Sequence, residues 1–100
     1  MTLPAVTFRR ADREDVGAIV DIFGRSRSVA MPFLPRLHTP EEDHAFFSGL
    51  LSHGRVTLAL GERPVGFMVE TEGWIEHLYL DPDQRGRGIG RALVGQAMDR

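Results

Sequence analysis

Leu78-Tyr79-Leu80-Asp81-Pro82-Asp83-Gln84-Arg85-Gly86-Arg87-Gly88-Ile89-Gly90-Arg91-Ala92-Leu93 is the stretch on which the fold turns. It begins inside an apolar run that starts at Trp74 and reads as a strand. Asp81-Pro82-Asp83 ends that strand. Glycines follow at alternate positions 86, 88 and 90. From Gly88 or Ile89 onward, Ala92, Leu93, Ala97 and Met98 mark a helix. Glycine lets a backbone bend freely and lets an anion come close. The first N–H groups of a helix have no partner within it, and the helix dipole favours negative charge there. Strand, glycine loop and helix together make a phosphate site, with Arg85, Arg87 and Arg91 as cationic forks around it.

Upstream, Val56, Leu58 and Leu60 alternate with Thr57 and Ala59 as in a half-buried strand, and Val65, Phe67 and Val69 alternate again. Gly61-Glu62-Arg63-Pro64 joins them as a turn, which predicts an antiparallel hairpin. Thr39, Pro40 and Glu42 form the start of a helix with a capping box, its apolar face being Phe46, Phe47, Leu50 and Leu51 and its end His53-Gly54. An earlier helix spans about 13 to 25, capped by Asp12, with Asp15 in its first turn and Val16, Ile19, Val20 and Phe23 on one face. Thr7 to Arg9 reads as a first strand, with Val6 and Phe8 on one side. The order is strand, helix, helix, three strands, helix. That predicts an α+β domain with helices packed on a largely antiparallel sheet. Trp74, Phe46 and Phe47 read as core.

One domain of 100 residues is all the length allows. The last helix reaches Arg100 with no stop signal and no strand after it. The expectation is a domain truncated after its third main helix, with an open sheet edge able to pair with a second copy as a homodimer. Net charge is −2, which argues against a nucleic-acid partner. There is no cysteine, so disulfides, thiolate metal sites and a Cys nucleophile are excluded. His38, His44 and His53 lack metal-ligand spacing, and no metal is expected. No signal peptide or membrane span is seen, which makes cytoplasmic the default.

Other phosphate motifs fit poorly. A P-loop ends in Gly-Lys-Ser/Thr, and this chain has no Lys. The dinucleotide fingerprint needs a third glycine where Arg91 stands, and an acid about 20 residues further on. The pattern Arg/Gln-x-x-Gly-x-Gly/Ala is met by Arg85, Gly88 and Gly90. With Leu-Tyr-Leu-Asp-Pro before it and Arg-Ala-Leu after it, the segment resembles the acyl-CoA pyrophosphate loop of the GNAT superfamily of N-acetyltransferases. Arg9-Arg10-Ala11-Asp12-x-x-Asp15 resembles that family's first strand and helix, so the likeness covers nearly the whole chain.

The resemblance implies a GNAT-like fold and direct transfer of an acetyl group from acetyl-CoA, as co-substrate, to an amine on a small molecule or peptide. It implies that the pantetheine arm lies along Leu78, Tyr79 and Leu80. There a backbone bulge opens a slot, and a freed N–H meets the thioester oxygen. The pyrophosphate is then held by Arg85, Gly86, Arg87, Gly88, Ile89, Gly90 and Arg91. An amine arriving as ammonium needs a general base. Glu76, on an otherwise apolar strand beside the thioester, is the first candidate and His77 the second. A regular strand would turn these two to opposite faces; a bulge would spoil that. On a plainer view Glu76 faces solvent or pairs with an arginine, and His77 is a satisfied core group. Phe33 and Leu34 line the acceptor site or pack their own loop. The family commonly protonates the leaving thiolate with a Tyr in a later helix. Tyr79 is the only Tyr here and sits in the cofactor strand, so it does not match. The alternative to an enzyme is an inactive CoA-binding or dimerisation module.

Overall fold

The computed structural model describes residues 6–30, 39–84 and 88–98. Strand β1 is Thr7–Arg10. Asp12 ends it and caps a single 3-10 turn, Arg13–Asp15. The Asp12 carboxylate accepts from the Glu14 N–H at 2.9 Å, while the Asp15 carboxylate accepts from the Asp12 N–H at 2.8 Å. Helix α1 follows at Val16–Ala30. It runs five residues past the expected end at 25, because Ile22 and Ser26 carry its buried stripe onward through a polar-looking stretch. Helix α2 is Pro40–His53, with the Thr39/Glu42 capping box formed as the sequence predicts. Gly54 closes α2 in an extended conformation, so it is not needed for a left-handed turn. A Cβ there would lie 2.7 Å from the Glu70 carbonyl oxygen.

Strands β2 (Arg55–Leu60), β3 (Pro64–Thr71) and β4 (Trp74–Leu80) follow. They join β1 in one antiparallel sheet ordered β1-β2-β3-β4. Helix α3 is Ile89–Met98. The α+β arrangement is the one expected from the sequence.

One expectation is corrected. Strand β2 is not half-buried: Val56, Thr57, Leu58 and Ala59 are all buried. Helices cover both faces of the sheet. On one face Val56, Leu58, Phe67 and Val69 pack with Val16, Ile19 and Ile22 of α1 and Phe47 of α2. On the other, Ala59, Val65 and Met68 pack with Ile89 and Leu93 of α3. Thr57 and Ala59 look like a solvent face only because they are small.

The register slips twice. Ala59 faces Gly66 and Leu60 faces Pro64, leaving Val65 as an extra residue in β3. Val69 faces His77 and Glu70 faces Ile75, leaving Glu76 as an extra residue in β4. A bulge of this kind bends a strand and adds to its twist.

Candidate functional site

Helix α3 starts from Gly88, whose carbonyl accepts the Ala92 N–H at 3.0 Å. Gly88 has φ +76, a left-handed backbone that only glycine adopts without cost, and it is exposed. Among the described residues, its immediate neighbours in the chain aside, nothing lies within 4 Å of where its Cβ would be. Ile89 and Leu93 are buried against the sheet and hold the helix in place, while Arg91 is exposed. The N–H groups of Ile89, Gly90 and Arg91 are therefore first-turn donors without a partner inside the helix. Arg85, Gly86 and Arg87 lie outside the described residues.

Strand β4 leads to this point. Its pairing with β3 puts Leu78 and Leu80 on the α3 side and His77 and Tyr79 on the α1/α2 side. The bulge falls at Glu76, two residues ahead of the Leu78–Leu80 segment where the family resemblance implies one. The extra residue cancels the simple alternation between Glu76 and His77. Glu76 is exposed. His77 instead meets aromatic rings: Phe46 edge-on at 5.7 Å, Phe47 at 6.1 Å and Tyr79 stacked at 6.1 Å. Tyr79 also meets Phe23 edge-on at 5.0 Å.

These rings border a cavity of about 640 Å³ between α1, α2 and β4, lined by Phe23, Phe46, His77 and Tyr79 with the charged residues Arg27, Glu42 and Asp43. Two residues expected in the core are corrected here. Phe46 is 52% exposed, because it stands on the cavity edge while Phe47 takes the core position. Trp74 is 75% exposed, because it opens β4 next to the Glu72-Gly73 turn on the sheet's outer strand. Phe33, Leu34 and His38 lie outside the described residues. Among the described residues no group of three or more acids and histidines is set to hold a metal, and no helix is long and apolar enough to cross a membrane.

One feature escapes sequence inspection. Asp81, the residue at which β4 ends, is completely buried. Its N–H donates to the Val65 carbonyl at 2.8 Å, and its Oδ1 accepts from the Asp83 N–H at 3.0 Å. Its Oδ2 lies 3.0 Å from Arg25 Nη2 and 2.9 Å from Arg63 Nη1. Two guanidiniums thus meet one buried carboxylate oxygen as ion pairs. Burial pushes the Asp81 carboxyl up, but the Asp83 N–H and the two guanidiniums outweigh it and hold it below the usual carboxylate range. Nothing in the local sequence marks this, since Arg25 and Arg63 come from α1 and the β2–β3 turn. At the far end of the sheet Asp15 is also held low, first by its two 2.8 Å hydrogen bonds from Arg9.

A strand that delivers a left-handed glycine to a helix start, on an antiparallel sheet clad on both faces, defines the class. The chain belongs to the acetyltransferase (GNAT) family, which it matches over residues 18–100. Among its relatives is the peptidyl-lysine N-acetyltransferase YjaB of Salmonella typhimurium, 32% identical over 95 residues. The match takes in 93% of this chain and 65% of that protein, so the chain spans just under two thirds of the relative's length. The solution structure of apo-form YjaB from Escherichia coli superposes with a TM-score of 0.76 at 31% identity, over 95% of this chain and 65% of that one. The PaiA N-acetyltransferase of Thermoplasma acidophilum, solved in complex with coenzyme A, superposes with a TM-score of 0.78 over 95% of this chain and 70% of that one. At 14% identity that is a likeness of fold.

Proposed function

We propose that this chain binds the diphosphate of acetyl-CoA at the start of α3 and serves the transfer of its acetyl group to an amine. The observation that carries the reading is Gly88, held at φ +76 as the first residue of the α3 cap and open to solvent. Family membership supports it, as does the coenzyme A held by a neighbour of the same fold. Leu78, Tyr79 and Leu80 would take the pantetheine arm along the outer edge of β4, past the bulge.

In this reading the acceptor occupies the cavity between α1, α2 and β4. Phe23, Phe46 and Tyr79 suit an aliphatic stem. A lysine side chain in a peptide, the acceptor named for YjaB, fits that description. The amine gives up a proton and attacks the thioester carbonyl. The C–S bond then breaks and the thiolate leaves with a proton. His77 is the proposed base, because it lines the cavity where the amine would arrive and an imidazole can accept a proton from it. Glu76, exposed at the bulge, is second. A backbone N–H of β4 near Leu78–Leu80 would steady the oxyanion. The cytoplasm, where acetyl-CoA is at hand, belongs to the same proposal.

Titration with coenzyme A, read both by heat and by amide resonances, tests the carrying step. Saturable binding that shifts Ile89, Gly90 and Arg91 is expected; absence of binding refutes the proposal. Release of thiol from acetyl-CoA with a lysine peptide tests turnover. Binding without turnover supports the inactive module instead.

A further inference from the structure

We propose that Asp81 is a positioning residue for acyl-CoA binding, locking the exit of β4 to α1 and to the β2–β3 turn. The inference rests on the reading of the α3 start as the coenzyme site. Four contacts define the lock. The Asp81 N–H ties the exit to Val65, the bulged residue of β3. Its Oδ1 shapes the 3-10 turn Pro82–Gln84 by accepting from the Asp83 N–H. Its Oδ2 gathers Arg25 and Arg63 at 3.0 and 2.9 Å. Arg25 is itself steadied by Asp21, one helical turn earlier, at 2.9 Å. A carboxylate with no exposure keeps its charge only while such partners remain. The guanidiniums are 37% and 50% exposed, so water can receive them if the carboxylate is lost. The burden of the arrangement therefore falls on the exit of β4.

A rival account makes Arg25 and Arg63 phosphate ligands that Asp81 holds back. The two accounts differ in sign. If Asp81 positions the chain, Asp81→Asn weakens coenzyme A binding. If Asp81 competes with phosphate, the same change frees two arginines and tightens it.

The test is calorimetric titration of coenzyme A into wild type, Asp81→Asn and Arg63→Gln, each at a temperature where circular dichroism shows it folded. For Asp81→Asn the expected loss is about tenfold in Kd, the order seen when the outer support of a binding group is removed. The KM for acetyl-CoA should rise with kcat little changed. For Arg63→Gln, which leaves the Asp81–Arg25 pair, roughly two- to fivefold is expected. Equal or tighter binding by Asp81→Asn overturns the proposal, even if its Tm falls. Should Asp81→Asn not fold, an unchanged Kd for Arg63→Gln overturns it. Failure of the wild type to bind refutes the coenzyme reading itself.

Discussion

Replacing Gly88 by alanine separates backbone conformation from bulk. Among the described residues beyond its chain neighbours, a Cβ at this position meets nothing within 4 Å, so bulk is not the main change. What changes is the cost of φ +76, about 1–2 kcal/mol for an L-residue. The variant has two ways to respond. It can keep the left-handed turn and lose that much stability, a fall in Tm of roughly 4–8 °C per kcal/mol for a domain of this size. Or it can relax to negative φ, recover stability, and swing the N–H groups of residues 88 to 90 away from a common target. In the second case the loss of one hydrogen bond to a charged phosphate is worth about 1.5–3 kcal/mol, or roughly ten- to hundredfold in Kd. Calorimetry with coenzyme A beside a thermal melt distinguishes the responses. The expected result is weaker binding with little loss of Tm, since an exposed turn relaxes easily. D-Alanine at 88, introduced by peptide ligation, prefers positive φ and should restore the affinity. A Gly88→Ala protein that binds coenzyme A within twofold of wild type, at any Tm, would refute the assignment.

Acid should destabilise the fold in a defined window. Asp15 and Asp81 are held below the usual carboxylate range when folded, so their contribution is complete above about pH 4 and is lost as pH falls through their depressed values. Melts from pH 7 to pH 2 should show a shallower acid-side fall in Tm for Asp15→Asn; an identical slope would contradict this. Gly66→Ala should cost about 1–3 kcal/mol in urea unfolding, because the new Cβ would stand 2.7 Å from Leu80 Cδ2 and 3.1 Å from the Tyr79 carbonyl oxygen; an unchanged midpoint would show that β4 yields. His77→Gln should lower kcat by roughly 10²- to 10⁴-fold, more than Glu76→Gln does; the reverse ranking would return the base to Glu76.

The features legible in the sequence are the local ones. Thr39, Pro40 and Glu42 announce a helix start because the cap is made by residues three apart, and the structure forms that cap. Gly88 advertises a backbone need that no other residue meets cheaply. The features missed depend on partners far along the chain. Asp81 reads as a strand stop, and only the fold brings Arg25 and Arg63 to it. The α1 and α3 packing buries both faces of β2, so alternation there misleads. The extra residue at 76 has no signature at all, since a bulge is a property of two strands and not of one. Its place decides that His77, and not Glu76, borders the cavity.

The same bulge bears on what can pair with the outer strand of the described sheet. Strand β4 lies at the margin of the described sheet and shows Trp74, Ile75 and Leu78 to water. A straight, greasy margin is a template on which a neighbour's strand can build. Because Glu76 is surplus to the pairing, deleting it would leave Ile75 and His77 facing their present partners and straighten the margin. That shortened protein should melt no lower yet clump sooner, for one superfluous acid both kinks the strand and charges it.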